Sequence, residues 1–158
     1  MCVHIERPEP AEIVTLADRW VELAREQRDH GAHVEAGPNR ETILGVLQGH
    51  HAADEVLVAR ADSRVVGFVT FTMETGALEL AATRGIVTNL YVEPSARSQG
   101  IGSRLLRAAE EALDRRGATV VVLEVLAANE RARQFYRAQG YRPHRVTMGK
   151  PLDESGAE

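Results

Sequence analysis

A loop with two glycines joins a predicted strand directly to a predicted helix, and this junction restricts the possible folds most. Residues 86–92 are mostly apolar and β-branched, and Pro94 ends the predicted strand. Gly100 and Gly102 follow, and apolar residues then recur at helical spacing until about Gly117. This order of strand, loop and helix indicates a sheet covered by helices.

Hydrophobic periodicity along the rest of the chain supplies the other elements. The predicted elements in order are strand 2–7, helix 11–30, helix 40–48, strands 56–59 and 65–69 around a tight turn at Asp62-Ser63, strand 86–92, helix 101–117, strand 119–126, helix 130–138 and strand 145–152. The run 119–126 is rich in β-branched residues, which is typical of a strand buried on both faces. The order β-α-α-β-β-β-α-β-α-β predicts a mixed sheet with packed helices, of the α/β or α+β class.

Composition and charge argue against several partners and locations. The 158 residues suffice for one domain, which we expect to span residues 1–158. A net charge of −4 disfavours nucleic acid, because phosphate backbones attract basic surfaces. No stretch approaches the roughly 18 uncharged apolar residues of a membrane span. The single cysteine, Cys2, and the absence of an apolar signal core near the N-terminus predict a cytoplasmic protein.

The histidines do not suggest a metal centre. All six are scattered, and the adjacent pair His50-His51 suits metal coordination poorly. We therefore expect no bound metal.

The glycine loop, residues 97–103, has the features of an anion site. Glycines allow close approach of the backbone, and the first N–H groups of the following helix have no partners inside it. These N–H groups and the helix dipole together attract phosphate, and Arg97 adds a formal positive charge. An ordinary glycine-rich turn is the alternative. Two other phosphate loops are excluded by spacing, since no Gly-Lys-Ser/Thr follows and Leu105 occupies the third glycine position of a dinucleotide loop.

Two blocks of sequence resemble the GCN5-related N-acetyltransferase family. The first is Leu-Tyr-Val-Glu-Pro at residues 90–94 followed by Arg97, Gly100 and Gly102, which matches the Arg/Gln-x-x-Gly-x-Gly/Ala pattern. The second runs from Leu-Glu-Val at residues 123–125 to Tyr141 and matches Asn-x-x-Ala-x-x-x-Tyr-x-x-x-Gly-Phe/Tyr. Together the blocks span about a third of the chain. The resemblance implies the family's fold, with a mostly antiparallel central sheet flanked by helices, and a final strand near Met148.

The resemblance also implies how acetyl-CoA, the co-substrate, would be bound. Its pyrophosphate would lie on the backbone of the loop, and its pantetheine arm would contact the main chain of the preceding strand. The implied cofactor-binding residues are Leu90, Tyr91, Val92, Arg97, Ser98, Gln99, Gly100, Ile101, Gly102, Ser103 and Asn129. For Asn129 a helix N-cap is an equally good interpretation, and both roles are compatible.

Two residues are candidates for catalysis. The resemblance directs the Tyr136 hydroxyl at the thioester sulfur, where a phenol can protonate the departing CoA thiolate. Glu124 interrupts an apolar strand, so we expect it to face a cavity, a strand end or a basic partner. It is either the general base, as in relatives that acetylate protein N-termini, or the partner of an arginine in a salt bridge. Thr88 or Asn89 occupies the strand position where other relatives carry a glutamate, which leaves a water relay open.

The resemblance implies transfer of an acetyl group to a primary amine by direct attack in a ternary complex. The amine is a small molecule or a protein N-terminus or lysine, and a non-catalytic acetyl-CoA sensor is the alternative. A homodimer is also implied. Charged residues between 19 and 29 alternate in sign at helical spacing, so we expect them to pair with each other on a solvated face.

Overall fold

The computed structural model describes residues 2–153 and has a central sheet with helices on both faces. The strands are β1 (Val3–Glu6), β2 (Val56–Ala61), β3 (Arg64–Met73), β4 (Arg84–Val92) and β5 (Val120–Leu123). The α-helices are α1 (Ile13–Asp29), α2 (Arg40–Ala52), α3 (Ile101–Arg115) and α4 (Glu130–Ala138), and short 3₁₀ turns precede α1, α2 and the glycine loop.

The sheet is mixed and mostly antiparallel, as predicted. Its order is β1-β2-β3-β4-β5, with antiparallel pairing from β1 to β4 and parallel pairing of β5 with β4. Antiparallel neighbours need only short connections, whereas the parallel pair requires the crossover that α3 provides. The tight turn between β2 and β3 is also as predicted. Asp62 and Ser63 have φ values of 50° and 68°, which suit the right-handed twist of a hairpin.

Helices cover the two faces of the sheet and create two layers of core. On one face α1 and α2 place Leu16 and Leu47 against Val58 and Phe68. On the other face α3 places a row of leucines against the alternate residues of β3 and β4; these are Leu105, Leu106 and Leu113. β3 lies between the layers, so its residues 65–71 are buried on both sides.

The strands β4 and β5 separate near their C-terminal ends. Their pairing stops at Val87 and Leu123, while β4 continues to Val92 beside β3 alone. A shift of register between β3 and β4 lies at the same level, because Thr70 pairs with Asn89 and Phe71 with Val87, which leaves Thr88 without an opposite residue. This gap between β4 and the chain after Leu123 opens beside the glycine loop.

Two sequence-based predictions about strands are wrong. Residues 145–152 form no strand, because a strand needs a ladder of hydrogen bonds and residues 142–152 make none to the rest of residues 2–153. The run 119–126 contributes only the short β5, which is half-exposed since it lies at the edge of the sheet. The strand buried on both faces is β3 instead.

The helices lie close to their predicted positions. α4 has the predicted bounds, while α2 continues four residues beyond its predicted end to Ala52. Within residues 2–153, no helix combines the length and apolar character needed to cross a membrane.

Candidate functional site

The glycine loop has a backbone shape that leaves its N–H groups available. After the 3₁₀ turn at Pro94–Ala96, Ser98 and Gly100 adopt left-handed conformations with φ of 65° and 80°. Gly100 precedes the first residue of α3, and no side chain among residues 2–153 caps the helix. Nothing within residues 2–153 accepts a hydrogen bond from the N–H groups of residues 98–103. Such a run of unpaired N–H groups at a helix N-terminus is suited to an anion.

The side chains of the loop divide between solvent and core. Ser98, Gln99 and Gly100 are exposed, whereas Ile101, the first residue of α3, is buried in the core and anchors the start of the helix. A Cβ atom on Gly102 would lie 3.5 Å from the Phe135 ring, which is an ordinary contact. Both residues that the family pattern allows at this position, glycine and alanine, therefore fit.

Arg97 does not contribute a free positive charge to the loop, in contrast to the expectation from sequence. Its Nε donates to the Val92 carbonyl at 2.7 Å, and its Nη2 donates to Glu26 Oε1 at 2.7 Å. The guanidinium also lies 5.5 Å from the centre of the Tyr91 ring. The charge of Arg97 is balanced by Glu26, and its hydrogen bonds fix the loop to β4 and α1. The groups of the loop that stay available to an anion are therefore its backbone N–H groups.

The last residues of β4 point alternately to the two faces of the sheet. Leu90 and Val92 pack on the α3 side, whereas the Tyr91 ring is buried against α1 and lies 6.2 Å from the Phe68 ring. The Tyr91 hydroxyl donates to Glu22 Oε2 at 2.7 Å, and burial raises the pKa of this phenol above its usual value. Tyr91 is thus a packing residue by its side chain, and only its main chain can face the gap beside β4.

The sequence predicts that the charged residues of α1 pair with each other on a solvated face. Arg19 and Glu22 do pair, at 3.5 Å, but Glu22 also accepts from Tyr91 and Glu26 pairs with Arg97. Helical spacing reveals neighbours three or four positions apart and carries no information on a partner seventy residues away. The connection of α1 to the glycine loop was missed for this reason.

Glu124 lies directly after β5, at the mouth of the gap between β4 and β5. Its side chain is exposed, and it has no hydrogen bond or ion pair with residues 2–153. Glu124 therefore lies at the end of a strand, one of the three surroundings expected from sequence. No arginine in the described part of the chain forms a salt bridge with it. A carboxylate that is exposed and unpaired is accessible to a molecule that enters the gap.

Tyr136 lies on α4 in a cluster of aromatic rings. Its ring centre is 5.2 Å from that of Phe135 and 5.9 Å from that of Tyr141, both in edge-to-face arrangements. Burial raises the pKa of Tyr136 to about 12, because the phenolate would be poorly solvated. Its hydroxyl has no hydrogen-bond partner within residues 2–153. The group therefore stays protonated at physiological pH and has a proton to donate.

Asn129 caps α4, and Ser103 connects α3 to α4, the two helices that border the gap. The Asn129 side chain accepts from the Ala132 N–H at 3.1 Å, which is the N-cap interaction expected from sequence. The Ser103 hydroxyl accepts from Gln139 Nε2 at 2.9 Å and so ties α3 to the end of α4. The Gln139 contact was missed, since nothing in the local pattern distinguishes this glutamine.

A polar cluster at the centre of the sheet was also missed. The Thr70 hydroxyl is fully buried in β3, lies 2.6 Å from the Thr88 hydroxyl, and accepts from Asn89 Nδ2 at 2.9 Å. The register shift between β3 and β4 brings these three side chains together at the level where β4 and β5 separate. None of them is a base at neutral pH, but hydroxyl and amide groups can position a water molecule.

The described residues contain no group of three or more His, Cys, Asp or Glu side chains that is arranged to hold a metal ion. A separate cleft of about 280 Å³ lies at the C-terminal end of α4, between Arg137 and Pro143, and it includes neither the glycine loop nor Glu124. The candidate site is therefore the open gap beside β4.

Comparison with known proteins places this arrangement in a family. Residues 11–141 match the model of the Acetyltransferase (GNAT) family. An uncharacterized N-acetyltransferase of Bacillus subtilis, YhfO, is 30% identical over 95 residues, which is 60% of this chain and 62% of the relative. An uncharacterized N-acetyltransferase of Archaeoglobus fulgidus is 36% identical over 89 residues, which is 56% of this chain and 60% of the relative. The chain thus spans about three fifths of the length of these relatives.

Solved structures share the fold over nearly the whole chain. A GCN5-related N-acetyltransferase from Ralstonia eutropha superposes with a TM-score of 0.76 at 21% identity, covering 96% of this chain and 99% of the other. The aminoglycoside N-acetyltransferase AAC(6′)-Iy, solved in complex with CoA, gives 0.72 at 16% identity and 96% coverage of both chains. At this identity the likeness concerns the fold, whereas the family match covers most of the sequence. The chain belongs to the GNAT family of acetyltransferases.

Proposed function

We propose that the chain transfers the acetyl group of acetyl-CoA to a primary amine in a ternary complex. The observation that carries the proposal is the run of unpaired N–H groups at residues 98–103, which opens beside the gap where β4 and β5 separate. A pyrophosphate on these groups would let a linear thioester arm lie along the free edge of β4. The CoA complex of AAC(6′)-Iy is consistent with such binding in this fold.

In this scheme Glu124 accepts a proton from the protonated amine, directly or through water. The amine nitrogen attacks the thioester carbonyl carbon, and the resulting oxyanion receives hydrogen bonds from β4 N–H groups at the separation of the strands. The carbon–sulfur bond breaks, Tyr136 donates its proton to the thiolate, and the second proton of the attacking nitrogen passes through water to the Tyr136 phenolate, which restores the phenol. The products are an amide and free CoA, and no covalent enzyme intermediate is needed.

A water relay is a second route for the amine proton. Thr70, Thr88 and Asn89 form a polar cluster where β4 leaves β5, and such groups can orient a water molecule between the amine and Glu124. The carboxylate is the final proton acceptor in both routes. The acceptor amine stays open between small molecules and protein N-termini or lysines.

A non-catalytic acetyl-CoA sensor is the alternative function. The observation in its favour is that β4 carries Thr88 and Asn89 at the level of the gap, so this strand contributes no carboxylate there. One relative in fold, from Bacillus halodurans, is described as a transcriptional regulator and superposes with a TM-score of 0.74 at 18% identity over 96% of this chain. A sensor would bind acetyl-CoA without releasing CoA when amines are supplied.

The test measures thiol release from acetyl-CoA in the presence of polyamines, aminoglycosides and peptides. We expect at least one amine to stimulate release by the native chain. Tyr136→Phe should lower that rate about 100-fold, because the thiolate leaves without a proton. Binding of acetyl-CoA, measured by calorimetry, should be retained.

The pH dependence adds a condition to this test. Since the pKa of Tyr136 is raised to about 12, ionisation of this residue should not reduce the activity of the native chain below about pH 11. Full turnover of Tyr136→Phe at every pH would exclude the general-acid role. Binding without thiol release for every amine would favour the sensor.

A further inference from the structure

Glu93 directly follows β4 and is the only charged residue among residues 2–153 that is buried, with 6% of its surface exposed. Its N–H donates to the Val66 carbonyl at 2.8 Å, and its carbonyl accepts from the Ala96 N–H at 2.9 Å. The 3₁₀ turn Pro94–Ala96 comes next and leads into the glycine loop. The backbone of Glu93 is thus fixed to β3 on one side and to the turn on the other.

The carboxylate of Glu93 has partners from three parts of the fold. Arg64 Nη1, at the start of β3, forms an ion pair with Oε1, which also accepts from the Ser95 hydroxyl at 3.0 Å. Arg19 Nη2, on α1, lies 3.4 Å from Oε2. Two positive charges therefore flank one buried carboxylate. Together these contacts join β3, α1 and the 3₁₀ turn at the point where the glycine loop begins.

Stability alone does not explain a carboxylate at this position. Removal of a charge from water is costly, and a buried ion pair is often no more stabilising than apolar side chains of the same volume. What the carboxylate adds is geometry, because its hydrogen bonds to Arg64 and Ser95 have preferred distances and directions. Glu93 therefore fixes the position of the turn more strictly than an apolar side chain would.

The glycine loop depends on how the chain enters it. The side chains of residues 98–100 are exposed, so they do not pack the loop against the core. Ile101, buried in the core, anchors the far end of the loop, and the turn after Glu93 leads into the near end. Several N–H groups bind one anion only when all of them lie within hydrogen-bond distance of it. A displaced turn would therefore remove some of these contacts.

We propose that Glu93 is a positioning residue for acetyl-CoA, because its buried carboxylate holds the 3₁₀ turn against Arg19 and Arg64 so that the loop N–H groups converge on the pyrophosphate. The inference rests on the proposed function, since it concerns the binding of acetyl-CoA. Glu93 acts through the backbone of the loop and does not touch the ligand.

Charge and position predict opposite results when the carboxylate is neutralised. Glu93→Gln keeps the shape of the side chain and removes one negative charge. By charge alone, an anion would then bind the chain more tightly, because one repulsive interaction is lost. If the carboxylate positions the loop, the anion binds more weakly, because a neutral amide no longer attracts both arginines. The direction of the change in affinity therefore distinguishes the two roles.

Calorimetric titration of acetyl-CoA into the native chain and its variants tests the proposal. We expect Glu93→Gln to bind about tenfold more weakly than the native chain. Glu74→Gln is the matched control, because Glu74 is also a part-buried carboxylate that accepts from an arginine, Arg84, at 2.7 Å. This pair lies at the opposite end of the β3–β4 ladder from the glycine loop. The control should keep native affinity, even where its melting temperature falls as much as that of Glu93→Gln.

Ser95→Ala tests the same contact without a change of charge. Ser95 is exposed, so this variant folds even if Glu93→Gln does not. Loss of the hydroxyl that donates to Glu93 should weaken acetyl-CoA binding about threefold. Native affinity of Ser95→Ala would contradict the proposal.

NMR relaxation of the ligand-free proteins supplies a readout that does not depend on acetyl-CoA. In Glu93→Gln the ¹⁵N order parameters of residues 98–103 should fall from about 0.85 to about 0.6, whereas Glu74→Gln should keep the native values. Unchanged or tighter binding by Glu93→Gln, equal weakening by Glu74→Gln, or unchanged order parameters would each overturn the proposal. A native chain that binds no acetyl-CoA would contradict the proposed function, and the order parameters would still decide whether Glu93 holds the loop.

Discussion

At the scale of single residues, the surroundings of Glu124 support its proposed role as the general base. The side chain is exposed and has no partner in the described chain, so an amine or a water molecule can reach the carboxylate from the gap. Sequence reasoning recognised the carboxylate because it interrupts an apolar run. It could not decide between a base and a salt bridge, since that depends on which arginines lie nearby in three dimensions.

Glu124→Gln tests the base assignment directly. We expect kcat/KM for the acceptor amine to fall at least about 100-fold near pH 7, because the amine then keeps its proton. The difference in kcat/KM between the native chain and Glu124→Gln should become smaller at high pH, because more of the amine is then unprotonated and needs no base. Glu79→Gln is the control, since Glu79 is also exposed and lies in the loop between β3 and β4. An unchanged pH–rate profile for Glu124→Gln would show that the carboxylate is not the base.

At the scale of secondary-structure elements, an arginine on β2 connects the sheet to the start of α1. Both terminal nitrogens of Arg60 donate to the Glu12 carboxylate, at 2.7 and 2.8 Å, and Nε donates to Glu6 at 2.5 Å. The hydrogen bonds from Arg60 lower the pKa of Glu12 below its usual value. This two-pronged ion pair anchors the start of α1 to β2. The helix α1 in turn carries Glu22 and Glu26, which contact Tyr91 and Arg97 at the site.

The lowered pKa gives the ion pair a defined pH dependence. A carboxyl whose pKa is lower in the folded state stabilises the fold above its unfolded pKa, and this contribution is lost as pH falls through the folded value. Glu12→Gln should therefore reduce the free energy of unfolding by about 1 kcal/mol at pH 7 and by much less near pH 3. Thermal denaturation at both pH values measures this loss in the free energy of unfolding, with Glu79→Gln as the control. An equal loss at pH 3 and pH 7 would contradict the assignment.

Most elements could be predicted because their signals are local. Helical spacing of apolar residues located α3, and the Asp62-Ser63 turn located the β2–β3 hairpin. Residues 145–152 show the limit of such signals, since alternation identifies a segment able to form a strand and does not supply a neighbouring edge. The same limit applies to β5, whose burial depends on what covers it.

At the scale of the whole molecule, the site is assembled from distant parts of the chain. The sequence predicted the glycine loop and α4, the helix that carries Phe135 and Tyr136, because the spacing of the motif residues identifies both. It did not predict that Arg97 is held by Glu26, or that Thr70, Thr88 and Asn89 meet at the register shift. These contacts depend on how α1 crosses the sheet and how β3 pairs with β4, and neither is encoded at fixed spacing.

In the proposed function, acetyl-CoA binds through the unpaired N–H groups of residues 98–103. Calorimetric titration of acetyl-CoA into Gln99→Glu and into Gln48→Glu tests it most directly, because both changes are nearly isosteric and both glutamines are exposed, but only Gln99 lies in the loop. One added negative charge beside a pyrophosphate costs about 1 kcal/mol or more. We predict about tenfold weaker binding for Gln99→Glu and native affinity for Gln48→Glu. Equal affinities for both variants would contradict the claim.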